Sequence, residues 1–95
     1  MNVVSRKIIN DFIKKHADSK SSLESWYLEA INANWKTSMD IKNRYVSASF
    51  LSKNYVIFNI KGNSYRLVTQ IAYNTGIVSI KWIGTHEEYN KKTFP

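Results

Sequence analysis

The apolar residues of this chain change their spacing once, and that change fixes the fold class. Over the first third, Ile8, Ile9, Phe12, Ile13 and His16 recur on one side of a helix, because residues three and four apart stack along the same face. With Ser5 as a plausible N-cap, this spacing predicts a helix over about residues 6 to 17. Ser21-x-x-Glu24 has the form of a capping box, and Leu23, Trp26, Tyr27, Ala30 and Ile31 carry a second helix to about Asn34. Each helix has one apolar stripe, which suits it to covering a sheet. From Tyr55 the period becomes two. Tyr55 to Ile60, Ser64 to Tyr73 and Ile77 to Ile83 read as strands, with Gly62-Asn63 and Thr75-Gly76 at the turns. Between the two regimes, Ser38-Met39-Asp40 can start one helical turn, and Ser47 to Leu51 can form a strand. The expectation is an α+β fold with two N-terminal helices packed on one face of a twisted antiparallel sheet. It forms a single domain, since 95 residues are too few to divide a core.

The turns also predict a register. A two-residue turn at Gly62-Asn63 sets Ile60 opposite Tyr65, Asn59 opposite Arg66 and Phe58 opposite Leu67. An even loop at the second turn sets Tyr73 opposite Val78, Ile71 opposite Ile80, Thr69 opposite Trp82 and Gln70 opposite Lys81. Residues directly opposite share a face. One face then holds Phe58, Ile60, Tyr65, Leu67, Ile71, Tyr73, Val78, Ile80 and Trp82, which the helices should cover. The other holds Asn59, Lys61, Arg66, Gln70, Ser79 and Lys81, with Ile57, Val68 and Ile83 among them and Tyr89 able to follow from the C-terminal segment.

Charge gives that second face a meaning. Lys and Arg outnumber Asp and Glu by 14 to 7, and no carboxylate lies between residues 41 and 86. A basic face with embedded apolar and amide side chains suits a phosphate backbone and stacked bases. Cleaving RNA needs no metal when the 2′-hydroxyl is the nucleophile, only a proton acceptor, a proton donor and cations for the phosphorane. Arg66 can grip a phosphate with two parallel bonds, or it can pair with a C-terminal carboxylate. His86 can exchange protons near neutral pH, or it can cap a helix before Glu87 and Glu88. Lys61 and Lys81 can add charge, and Tyr89 can stack or donate its hydroxyl. His16 continues an apolar stripe and reads as a boundary residue, while Trp26, Trp35 and Trp82 read as core.

Other chemistries are excluded. The chain has no cysteine, so disulfide scaffolds, thiol nucleophiles and Cys-ligated zinc are out. His16 and His86 are too few for a His-only metal site. No Gly-rich phosphate loop, catalytic carboxylate pair or Ser-His-Asp set stands out, and no metal or small-molecule cofactor is expected. With neither a secretion signal nor a membrane span in the pattern, a soluble cytoplasmic protein is expected.

The runs Asn59-Ile60-Lys61-Gly62-Asn63-Ser64-Tyr65-Arg66-Leu67-Val68 and Trp82-Ile83-Gly84-Thr85-His86-Glu87-Glu88-Tyr89-Asn90 resemble the HigB family of RelE-like toxins. The likeness covers most of the chain. It implies an endoribonuclease that cuts mRNA on the ribosome by 2′-hydroxyl attack, leaving a 2′,3′-cyclic phosphate, and a HigA-like helix-turn-helix antitoxin as partner. On that resemblance Arg66 matches the family's phosphate-binding arginine, and His86 and Tyr89 its terminal His and Tyr. Ile57 and Asn59 stand where RelE has lysines, which shifts proton transfer toward His86. The expected catalytic set is therefore Arg66, His86, Tyr89 and Lys81, with Asn59, Lys61, Arg66, Gln70 and Lys81 binding RNA. Two other readings stay open: a ParE-like toxin that poisons gyrase without cutting RNA, and a basic RNA- or DNA-binding module.

Overall fold

A computed structural model describes residues 1–94. The chain runs β1 (Asn2–Val4), α1 (Arg6–Lys15), a 3₁₀ turn (Ala17–Ser19), α2 (Lys20–Asn32), α3 (Ser38–Arg44), β2 (Ser49–Phe50), a second 3₁₀ turn (Ser52–Asn54), β3 (Tyr55–Ile60), β4 (Tyr65–Ala72), β5 (Ile77–Thr85) and α4 (His86–Asn90). The five strands form one sheet in the order β1-β5-β4-β3-β2. The fold is α+β as expected, with more helices than the two expected. The sheet is also not purely antiparallel, because β1 pairs in parallel with β5, Val3 lying opposite Val78. Three residues give no readable period, so this strand left no signal in the pattern.

Helix starts depart from the expected caps. Ser5 does stand at the N-cap of α1, but in the left-handed conformation (φ 71°) and without a side-chain bond to the helix. The 3₁₀ turn runs directly into α2 at Lys20, so Ser21 lies inside the first helical turn and no Ser21–Glu24 box forms. The capping boxes sit instead at Thr37 with Asp40, opening α3, and at Thr85 with Glu88, opening α4.

One sheet face carries Val56, Phe58, Ile60, Leu67, Ile71, Val78 and Ile80, all at most 4% exposed. Ile9 and Phe12 of α1 and Leu23, Trp26 and Ala30 of α2 close over it, as the two helical stripes require. Phe58 is the hub of this core. Its ring lies 5.3 Å from Trp26, 6.1 Å from Trp35 and 5.0 Å from Tyr45, so the segment after α2 packs as core rather than as a linker.

A buried-edge polar cluster pins α3 to α2. Glu29 accepts from the Tyr45 hydroxyl at 2.5 Å and pairs with Arg44. The Tyr45 bond and, after it, the Arg44 guanidinium hold the Glu29 carboxyl below the usual range. A depressed folded-state value makes stability present above the unfolded carboxylate value, about 4.3, and lost as pH falls through the folded one. Glu29→Gln should therefore flatten the acid limb of the stability curve below about pH 5, read from denaturant midpoints at successive pH values.

The first hairpin has the expected register, Ile60 opposite Tyr65 and Asn59 opposite Arg66. The second does not. Its loop is Tyr73 to Gly76, so Ala72 faces Ile77 and Ile71 faces Val78, two residues away from the expected pairing. Facing is preserved by an even shift, and Val78 and Ile80 stay in the core. A bulge follows: Thr69 faces Ile80 but Val68 faces Trp82, leaving Lys81 as the extra residue. Beyond it the faces exchange. Ile83 enters the core and Trp82 leaves it for the second face, the reverse of the expectation from strict alternation.

Candidate active site

On the second face Arg66 lies opposite Asn59 of β3 and Gly84 of β5. Gly84 is there because of Trp82. A Cβ at Gly84 would collide with the Trp82 ring and come within 2.9 Å of a Glu88 carboxylate oxygen, so only glycine lets that ring fold over the strand. Gly84→Ala should displace Trp82, weaken the seating of α4 and change the near-ultraviolet circular dichroism while leaving the far-ultraviolet helix signal largely intact.

At Thr85 the strand ends and the chain turns back. The Thr85 hydroxyl accepts from the Glu88 amide at 3.1 Å, and the Glu88 carboxylate accepts from the Thr85 amide at 2.8 Å. That bond to the Thr85 amide is the leading cause that lowers the Glu88 carboxyl below its ordinary value. The box starts α4 at a fixed angle, which brings two of its residues over Arg66. An Arg66 Nη atom lies 3.2 Å from His86 Nε2, and the guanidinium carbon lies 5.1 Å from the centre of the Tyr89 ring. Arginine has no acceptor, so the contact is attractive only with the Nε2 lone pair facing it.

Arg66, His86 and Tyr89 are all half-buried. Among the described residues no Asp or Glu pairs with Arg66. Arg66 Nε and the neighbouring Asn59 Oδ1 are buried without partners among the described residues. Buried polar atoms are rarely left so; the spare Arg66 donor suits an anion, whereas the Asn59 oxygen can only accept and suits a donor such as a hydroxyl or a base amino group. Asn59 is held from its other end, its Nδ2 donating to the Ser47 carbonyl at 3.1 Å.

Aromatic rings wall the site. Tyr89 stacks on Phe94 at 5.8 Å, and Trp82 lies 6.3 Å from Tyr89 and 5.8 Å from Phe94. Ile57 and Val68, expected among the polar groups of this face, are almost fully buried.

The remaining expected site residues are not brought to this place. Lys61 sits in the hairpin turn and pairs at 2.7 Å with Asp18, which also accepts from Tyr65 at 2.6 Å. Lys81 is exposed at the bulge beside α1. Gln70 is four residues along β4, about 13 Å from Arg66 at the usual strand rise, and donates to the Lys53 carbonyl. The shared face expected for Lys61, Arg66 and Lys81 therefore does not exist. His16 packs on Phe12 at 4.3 Å and near Tyr65 at 5.4 Å, as a boundary residue would. Gly84 and the Thr85 box were missed as site-builders, although Thr85-x-x-Glu88 has the same capping form read at Ser21.

No curated protein matches the chain. A family model described as HigB toxin, the RelE-like toxic component of a toxin–antitoxin system, matches residues 19–92. The matched span contains Asn59, Arg66, Trp82, His86 and Tyr89. The chain therefore belongs to the HigB family of RelE-like toxins.

Proposed function

We propose that this toxin is an endoribonuclease that cuts mRNA on the ribosome, and that Arg66, His86 and Tyr89 are its reacting groups. The observation that supports the reading is the placement of a half-buried arginine, its Nε unpartnered, within 3.2 Å of the Nε2 atom of a histidine. In the proposed step a phosphate displaces His86 from Arg66, whose Nη atoms then hold the non-bridging oxygens. The Nε2 lone pair so released takes the proton of the 2′-hydroxyl, the 2′-oxygen attacks phosphorus, and the bond to the 5′-oxygen breaks. The products are a 2′,3′-cyclic phosphate and a 5′-hydroxyl. Arg66 stabilises the charge that builds on the equatorial oxygens, and the Tyr89 hydroxyl gives the leaving 5′-oxygen its proton, which Tyr89 regains from solvent as His86 gives up its own. No metal enters the step.

A toxic component implies an antitoxin partner. The proposed partner is a HigA-like helix-turn-helix protein, and the proposed setting is the cytoplasm, where cleavage would arrest translation. His86→Ala should lower cleavage by about a hundredfold or more, as loss of a general base does, while the melting curve stays within a few degrees of the parent. Mapping transcript ends after induction separates this reading from a gyrase poison, which leaves messages whole and breaks DNA. A basic binding module would do neither and would not stop growth.

A further inference from the structure

The bulge in β5 does more than turn Trp82 over. β1 pairs with β5 only as far as Ser79, then turns away through Ser5 into α1, which packs along the rest of β5. Between α1 and the bulged stretch lies an open groove of about 360 Å³. Its floor is apolar, built from Ile8, Phe12 and Ile83, and Trp82 forms one wall. Lys15 and Lys81 stand on its rim. Asp11 is also on the rim, but Lys7 pairs with it at 2.8 Å, so the basic residues dominate the edge. A third cation, Lys92, lies 5.8 Å from the Trp82 ring.

Trp82 belongs both to this groove and to the aromatic cluster beside Arg66. Without the extra residue Lys81 it would point into the core, and groove and site would be separate. An apolar groove edged by lysines, and joined through Trp82 and then Tyr89 to the arginine on the other face of the sheet, matches one base and an adjoining phosphate of a single strand that passes over the β5 edge. A partner helix would need a longer row of apolar anchors.

We propose that this groove seats a base of single-stranded RNA next to the scissile phosphate, with Lys15 and Lys81 holding a neighbouring phosphate. The proposal rests on the ribonuclease reading of Arg66 and His86, and it gives Lys81 a role in binding along the strand, away from the reacting groups.

The test is a titration of the full chain, labelled with ¹⁵N, with a 2′-O-methylated tetranucleotide that lacks the nucleophile and so cannot be cut. The expected result is that amides of Ile8, Phe12, Lys15 and Lys81 to Ile83 shift together with those of Arg66 and His86. Lys15→Glu with Lys81→Glu should weaken tetranucleotide binding by roughly tenfold or more. It should leave a dinucleotide spanning the scissile phosphate within about twofold. The milder Lys15→Gln with Lys81→Gln should reduce the slope of log affinity against log salt by about 0.7 for each phosphate no longer neutralised, which a purely structural role would not do. Shifts confined to Arg66, His86 and Tyr89, with affinity and salt slope unchanged in both double variants, overturn the groove assignment and leave the ribonuclease reading standing. Shifts in the groove without any at Arg66 support the groove and count against that reading. Groove shifts with purified antitoxin but none with the oligonucleotide make the surface a protein contact and overturn the proposal.

Discussion

Replacing Arg66 with alanine should leave a folded protein that no longer arrests growth. Its cleavage of messages should fall by about a hundred- to a thousandfold, or roughly 2.7–4 kcal/mol of transition-state stabilisation, as for loss of one preorganised donor to a developing oxyanion. The change should appear in turnover more than in binding, because the other cations of the surface still attract the strand. Arg66→Lys should not restore activity, since an ammonium cannot reproduce the planar fork. Folding should survive because the Arg66 side chain is half-buried, forms no ion pair with a described carboxylate and already has one unpartnered nitrogen. Growth curves after induction, with thermal melts of the purified variants, check both halves.

The second large effect is on stability. Phe58→Ala should destabilise the protein by about 3–5 kcal/mol, the usual range for removing a large aromatic from a packed core. The side chain is 1% exposed and meets rings from α2, from the segment after it and from the end of α3. Truncation removes the one ring these elements share, so the destabilisation should exceed that from Phe50, which only flanks the core. Denaturant unfolding of the two alanine variants would show it; equal effects would mean that the Trp26–Trp35–Tyr45 cluster is not organised by Phe58.

Much of this architecture was legible because local rules agreed with one another. The stripes of α1 and α2 and the alternation of β3 and β4 each specify a buried face, and Gly62 (φ 63°) anchors a turn that fixes the first hairpin in register. The second hairpin misled twice, because its loop begins at Tyr73 rather than after it and because alternation was carried unbroken through Ile80-Lys81-Trp82-Ile83. Ile80 and Ile83 both belong to the core, and only a bulged residue between them allows that. The same assumption put Lys81 on the face of Arg66 and Trp82 in the core. Lys61 was misplaced for another reason: its partner Asp18 is 43 residues away in the chain, and no local pattern announces such a pairing. Arg66, His86 and Tyr89 lie together because Arg66 alternates onto the open face and a capping box returns α4 across it. β1 and α4 are too short for periodicity to reveal.

The most direct test of the central claim is the chemistry of the RNA ends. Messages recovered after induction of the wild-type chain should carry fragments ending in a 2′,3′-cyclic phosphate, with 5′-hydroxyl partners. Those fragments should be absent with His86→Ala and Arg66→Ala. Uncut messages accompanied by growth arrest, or fragments with 5′-phosphates, would contradict it.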